Sequence, residues 1–198
     1  MNFAEELVYW YLRFNGFFPL TNFVLHHSND HRTSDADILA VRFPYVSEAI
    51  GGNPDDWDPQ FRNRWDIDLT TETIGLITEV KSGSWDPADL NDQAPTWRVR
   101  EGLKRIGMLP EGDLLEEATR NLRSTAKTRV GSFTLAKLFV ANGEVPGETP
   151  WLHLELNNVE AFVQERMRRY RQRKLADRLF FGGDLIQYLA WKGGGDRD

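Results

Sequence analysis

Cysteine is absent from the chain. That excludes a disulfide framework and any thiolate zinc site, so metal chemistry here would need oxygen or histidine ligands, and a reducing compartment is the natural inference. Apolar runs approaching the roughly 20 residues that a membrane span requires are also missing. The opening Met1-Asn2-Phe3-Ala4-Glu5-Glu6 has no basic stretch leading into an apolar one, so a cytoplasmic protein that stays off the membrane is expected. There is no Gly-rich loop ending in Lys-Ser or Lys-Thr, and no Gly-x-Ser-x-Gly elbow, which leaves P-loop nucleotide hydrolysis and elbow-serine chemistry without support. Positive charge is scarce overall. A formal net charge of −6 argues against a protein that coats nucleic acid nonspecifically, because phosphate contacts come largely from Lys and Arg.

What is present suits one compact domain. Its 198 residues are enough to bury a core without covalent staples. Ala4 to Asn15 carries Leu7, Val8, Tyr11, Leu12 and Phe14 at helical spacing, with Asn15-Gly16 as a left-handed stop. Phe17 to Leu25 reads as a strand, followed by a polar loop over His26 to Thr33. The apolar run from Asp37 to Phe43 reads as a central strand ended by Pro44. Residues 44–73 are acidic and rich in Gly, Pro and Asp, and are expected to form an inserted excursion over the surface. A second buried-looking strand runs from Ile74 to Lys81 and stops at Ser82-Gly83-Ser84. Helices at Trp97 to Ile106 and Asp113 to Ser124 follow, then strands at Phe133 to Ala141 and Trp151 to Leu156. Two closing helices, about Val159 to Arg173 and Leu175 to Trp191, make 157–192 a helical C-terminal part. The class is α/β, with a mixed sheet flanked by helices.

The chemistry concentrates at the end of the Ile74–Lys81 strand. Side chains alternate along a strand, so Glu79 and Lys81 share one face while Val80 points to the other. Burying charge at the end of an apolar strand is costly unless it is paired or bound to a metal. If the strand bearing Asp37 pairs with this one, the Asp37 carboxylate reaches the same edge. Two carboxylates about 4 Å apart repel by about 4 kcal/mol at an effective dielectric near 20, and a divalent cation would remove that penalty. Hard oxygen ligands suit Mg²⁺ or Mn²⁺, which hold a few carboxylates, keep waters and accept phosphate oxygens; the Val80 carbonyl is a further candidate ligand. Lys81 is placed to orient or deprotonate an attacking water, and the set suffices for metal-assisted phosphodiester hydrolysis. A Glu-x-Lys tripeptide alone is a weak signal, since such pairs are common on solvated elements.

Four features in order strengthen it: a glutamate-bearing helix ending in Asn15-Gly16-Phe17, the strand Asp37-Ile38-Leu39-Ala40, the strand Thr78-Glu79-Val80-Lys81-Ser82, and helices after it. This arrangement resembles the core of the PD-(D/E)xK, or restriction-endonuclease-like, nucleases, in flavour the Holliday-junction resolvase and Mrr-like branches. The resemblance covers Ala4 to Gly83 and continues only in outline beyond. It implies a restriction-endonuclease-like sheet, with Asp37 and Glu79 as metal ligands, Lys81 as the catalytic lysine and Glu5 as the first-helix glutamate, Glu6 being the alternative. No proline immediately precedes Asp37, and the 44–73 excursion is longer than a hairpin needs.

The expected function is therefore Mg²⁺- or Mn²⁺-dependent hydrolysis of DNA in repair, restriction or defence. The alternatives are cleavage of RNA or branched DNA, and a noncatalytic nucleic-acid-binding or regulatory protein that keeps the fold. Ser82 is a candidate phosphate contact or a turn residue. Arg168 and Arg169 belong to a basic C-terminal stretch that reads either as a phosphate-contacting face or as a solvated helix surface. His26, His27 and His31 crowd one loop and read more readily as surface residues than as ligands. Gln93 is a weak candidate for positioning water. Cutting a duplex requires two strands to be cut, which leaves room for a homodimer.

Overall fold

A computed structural model of the chain describes residues 2–26, 33–47, 52–86, 90, 96–143 and 149–170. The first helix, α1 (Phe3–Phe14), begins in a capping box. The Asn2 side chain accepts from the Glu5 N–H, and the Glu5 carboxylate accepts from the Asn2 N–H, at 3.0 Å each, so two otherwise orphaned donors are satisfied together. It ends where the sequence places the stop. Gly16 takes φ 80°, a value that favours glycine, and the Phe17 N–H turns back to the Leu12 carbonyl at 3.0 Å.

Six strands follow: β1 (Phe18–His26), β2 (Thr33–Arg42), β3 (Thr73–Lys81), β4 (Lys127–Val130), β5 (Phe133–Ala141) and β6 (Leu152–Glu155). They form one sheet in the order β1-β2-β3-β5-β4, with β6 also on β5. β1–β2, β2–β3 and β4–β5 are antiparallel, whereas β3–β5 and β5–β6 are parallel. The parallel step from β3 to β5 needs a crossover, supplied by α3 (Thr96–Ile106) and α4 (Asp113–Ser124). These two helices cover one face with Val99, Leu103, Leu115, Ala118 and Leu122 against Leu39, Ile77 and Leu135. The other face, built from Ile38, Ala40, Ile74, Leu76, Val80 and Leu138, packs against α1 and α5 (Leu156–Arg169). The class is α/β with a mixed six-stranded sheet flanked by helices. Among the described residues no helix is long and apolar enough to cross a membrane.

Three expectations need correction. β2 starts four residues before Asp37, so Asp37 lies within the strand rather than opening it. β4 was not foreseen; it is a short edge strand joined to β5 through Gly131, at φ 59°. Residues 54–70 of the 44–73 stretch do not form a surface excursion. They contain a 3-10 turn (Pro54–Asp56) and α2 (Gln60–Asn63), and they bury Phe61, Trp65, Ile67 and Leu69 in the α1 side of the core. Their acidic residues, which suggested solvent, are consumed as local ties. Asp58 accepts from the Tyr11 hydroxyl at 2.9 Å and from the Gln60 N–H at 2.9 Å, Asp68 accepts from the Thr70 N–H at 2.8 Å, and Asp66 pairs with Lys127 at 3.0 Å. The helix expected over Leu175 to Trp191, like His27, His31 and Gln93, lies outside the described residues.

Candidate active site

β3 alternates as its sequence requires. Ile74, Leu76 and Val80 pack on the α1 side and Ile77 on the α3 side, which puts Glu79 and Lys81 on the α3 side with Ile77. The β2–β3 ladder runs from Arg42↔Ile74 to Ile38↔Thr78. Beyond it the Asp37 carboxylate takes over, with Oδ2 accepting from the Val80 N–H at 2.7 Å. A side chain thus replaces the next backbone acceptor, and Asp37 is held against the Glu79-Val80-Lys81 segment.

Glu79 is buried, 3% exposed, and its Oε1 accepts from Nη2 of Arg98 at 2.7 Å. The helix brings that guanidinium down because Gly102, one turn further along α3, has no side chain. A Cβ there would come within 2.8 Å of the Ile77 Cδ1. Four helical residues rise about 6 Å and two strand residues about 6.6 Å, so a helix running back along β3 with Gly102 over Ile77 sets Arg98 over Glu79. The sequence marks this only by the spacing Arg98-x-x-x-Gly102, one helical turn.

The electrostatics are those of crowded, buried acids. Burial pushes the Glu79 carboxyl up to about 8, against the stabilising Arg98 and Lys81 charges and with the help of the Asp37 charge. Burial also raises Asp37; the Val80 hydrogen bond opposes this, Glu5 adds to it, and Lys81 and Arg98 offset it. Glu5 is therefore the helix carboxylate whose charge acts on Asp37, even as it closes the capping box on Asn2.

The structure thus brings Asp37, Glu79, Val80 and Lys81 to one place, with Glu5 alongside. Ser82 lies just past the strand, exposed, its carbonyl accepting from the Asn142 side chain at 3.3 Å. Arg168 and Arg169 are not part of this assembly. Arg168 pairs with Glu165 and Arg169 with Asp56, at 2.5 Å each. Asp56 precedes Trp57, whose ring lies 4.2 Å from the Arg42 guanidinium. Arg42 pairs with Ile74, five strand residues and roughly 17 Å from Glu79. A cavity of about 410 Å³ at that far end is lined by Trp57, Asp58, Phe61, Asp68 and Arg166.

Among the described residues no group of three or more His, Asp or Glu side chains converges as a metal-holding cluster. The donor set is instead two carboxylates, Asp37 and Glu79, with the Val80 peptide between them. That set fits a hard divalent cation of the Mg²⁺ kind, which is commonly bound through one or two carboxylates plus water and substrate oxygens.

A second charged residue on this face was also missed. Lys137, the lone charge in the apolar β5, is fully buried without a hydrogen-bond partner for its amine, which lies 4.9 Å from the Trp151 ring centroid. No family model, curated protein or solved structure matches the chain.

Proposed function

We propose that this protein is a metal-dependent nuclease of the PD-(D/E)xK type, with a restriction-endonuclease-like core, that hydrolyses phosphodiester bonds in DNA with Mg²⁺ or Mn²⁺. The observation that carries the proposal is the 2.7 Å hydrogen bond from the Val80 N–H to Asp37. It joins two residues 43 positions apart and sets one carboxylate beside the buried Glu79 and beside Lys81, at the point where the strand ladder ends. A buried acid raised by burial and by a neighbouring carboxylate, as Glu79 is by Asp37, is the expected state of a cation site before a cation enters.

In this reading Asp37, Glu79 and the Val80 carbonyl hold the metal, and Glu5 adds negative charge behind Asp37. When bound, the metal supplies charge neutralisation at the scissile phosphate. Lys81, half-buried at the end of β3, holds and orients the attacking water through its ammonium donors. Water attacks phosphorus in line with the departing oxygen; the proton it loses passes to solvent, and the departing oxygen takes one from solvent to leave as a hydroxyl. Ser82, exposed beside Lys81, is positioned for a phosphate oxygen.

The decisive test is Lys81→Ala assayed on duplex, single-stranded, junction and RNA substrates with Mn²⁺. Metal-dependent cleavage should fall by roughly 10²-fold or more, as misplacement of a reacting group costs, while circular dichroism and the melting temperature stay near wild type. Full cleavage by the variant would reject the role of Lys81, and which substrate the wild type cuts separates DNA from RNA and junctions.

A further inference from the structure

We infer that Arg98 is the resident counter-ion of the Asp37–Glu79 pair, a positioning residue that yields Glu79 to a cation when a phosphodiester arrives to take its guanidinium. The inference rests on the nuclease reading and concerns the regulation of the same site. Metal binding and nucleic-acid binding are then linked through one side chain.

The geometry carries it. The contact is an ion pair, Nη2 to Glu79 Oε1 at 2.7 Å, between two side chains that are both almost wholly buried, 9% and 3% exposed. α3 comes close to β3 at Gly102, where an added Cβ would lie 2.8 Å from the Ile77 Cδ1, and the guanidinium of Arg98 faces the same carboxylates that would hold a cation. Around the site, with the carboxyls ionised, Asp37, Glu79 and Glu5 face Lys81 and Arg98, so one negative charge is left over before any cation enters. A divalent ion entering alone leaves an uncompensated excess of positive charge in a buried place, which is unfavourable. A phosphodiester entering with it restores the balance. Its non-bridging oxygens also suit a planar guanidinium better than they suit an ammonium. Cation and nucleic acid therefore favour one another, and by linkage each raises the affinity of the other equally.

Calorimetric titration of Mn²⁺ into the full chain tests this in a Lys81→Ala background, where added duplex DNA remains intact. Arg98→Gln removes the charge while keeping a hydrogen-bond donor toward Glu79. Without DNA, this variant should bind Mn²⁺ about tenfold more tightly than the background, within the usual range of coupling between sites, and should gain less from added DNA. Equal or weaker Mn²⁺ binding by Arg98→Gln overturns the inference. Should the variant lack a cooperative melt, recovery of the melt on adding Mn²⁺ supports the exchange of counter-ions, and no recovery overturns it. Absence of Mn²⁺ binding in every protein, with DNA or without, removes the nuclease reading and this inference together. Mn²⁺ binding that is indifferent to Arg98 removes the inference alone.

Discussion

Lys137 offers a prediction whose size follows from the structure. The residue sits on β5 opposite Ile77 of β3 and beside Trp151, which precedes β6. It is fully buried, and its amine has no hydrogen-bond acceptor. Burial therefore lowers its pKa from 10.5 to about 8. Because the folded value is the lower one, the folded state disfavours the charged amine. Full stability is present above about pH 10.5, is lost as the pH falls toward 8, and is not recovered below that. At about 1.4 kcal/mol per pH unit, the loss near neutrality is about 3 kcal/mol. Methionine has similar length, no charge and the flexibility to fill the site. The one favourable contact it forfeits is the attraction of the charged amine to the Trp151 ring, worth about 1–2 kcal/mol when desolvated. Lys137→Met should therefore stabilise the protein by about 1–2 kcal/mol at pH 7, read as an increased urea midpoint at unchanged slope. The advantage should vanish as the pH approaches 10.5. A destabilised variant, or one whose stability keeps the wild-type dependence between pH 8 and 10.5, would refute the account and point to a role for the amine outside folding.

Two further outcomes are expected. Glu79 rises to about 8 through burial, so its contribution to stability is present below about pH 4.5 and is lost as the pH climbs toward 8. Melts of the metal-free protein should weaken over that window, and the stabilisation given by Mn²⁺ should grow with pH, since only the ionised carboxylate binds the ion; Mn²⁺ stabilisation that shrinks with rising pH contradicts the site. Phe61 is buried between Tyr11, Phe17 and Trp65, with ring centroids 6.3, 5.5 and 5.0 Å away, so Phe61→Ala should cost about 3–5 kcal/mol in urea unfolding. A loss below about 1 kcal/mol, the range of surface substitutions, would return the 54–70 segment to the surface.

Much of this architecture was legible because its elements repeat a period that only one structure satisfies. The α4 and β5 boundaries coincide with the apolar patterns at Asp113 to Ser124 and Phe133 to Ala141. The alternation of β3 put Glu79 and Lys81 on one face before any partner strand was known. What stayed hidden was set by contacts between distant segments. Composition misassigned 44–73, because the carboxylates Asp56 and Asp58 are buried and bound to Arg169 and Tyr11 rather than to water. β4 carries only four residues, too few for a periodic signal. Arg98 occupies a helix whose pattern is amphipathic and otherwise ordinary, and only Gly102, one turn on, marks which of its cations turns inward.

The buried cations separate structural charge from exchangeable charge. Arg42 is enclosed at the far end of β2. It donates from Nε to the Asn15 carbonyl at 2.9 Å and from Nη1 to the carbonyls of Phe43 and Leu69, and it stacks on Trp57. Those acceptors are backbone atoms, at the end of α1, just past β2 and in the loop before β3. Burial lowers its pKa only to about 10, so it stays charged and acts as a permanent staple. Lys137 has an aromatic ring and no acceptor, which makes its charge a burden that folding tolerates. Arg98 faces a carboxylate at a strand end, beside a half-buried lysine and an exposed serine. A carboxylate can change partners where a fixed carbonyl cannot, since it binds a guanidinium, a proton or a cation with comparable geometry. The same physical cost of burying charge thus sets Arg42 apart as fixed architecture and the Arg98–Glu79–Asp37 group as the exchangeable charge on which the proposed function rests.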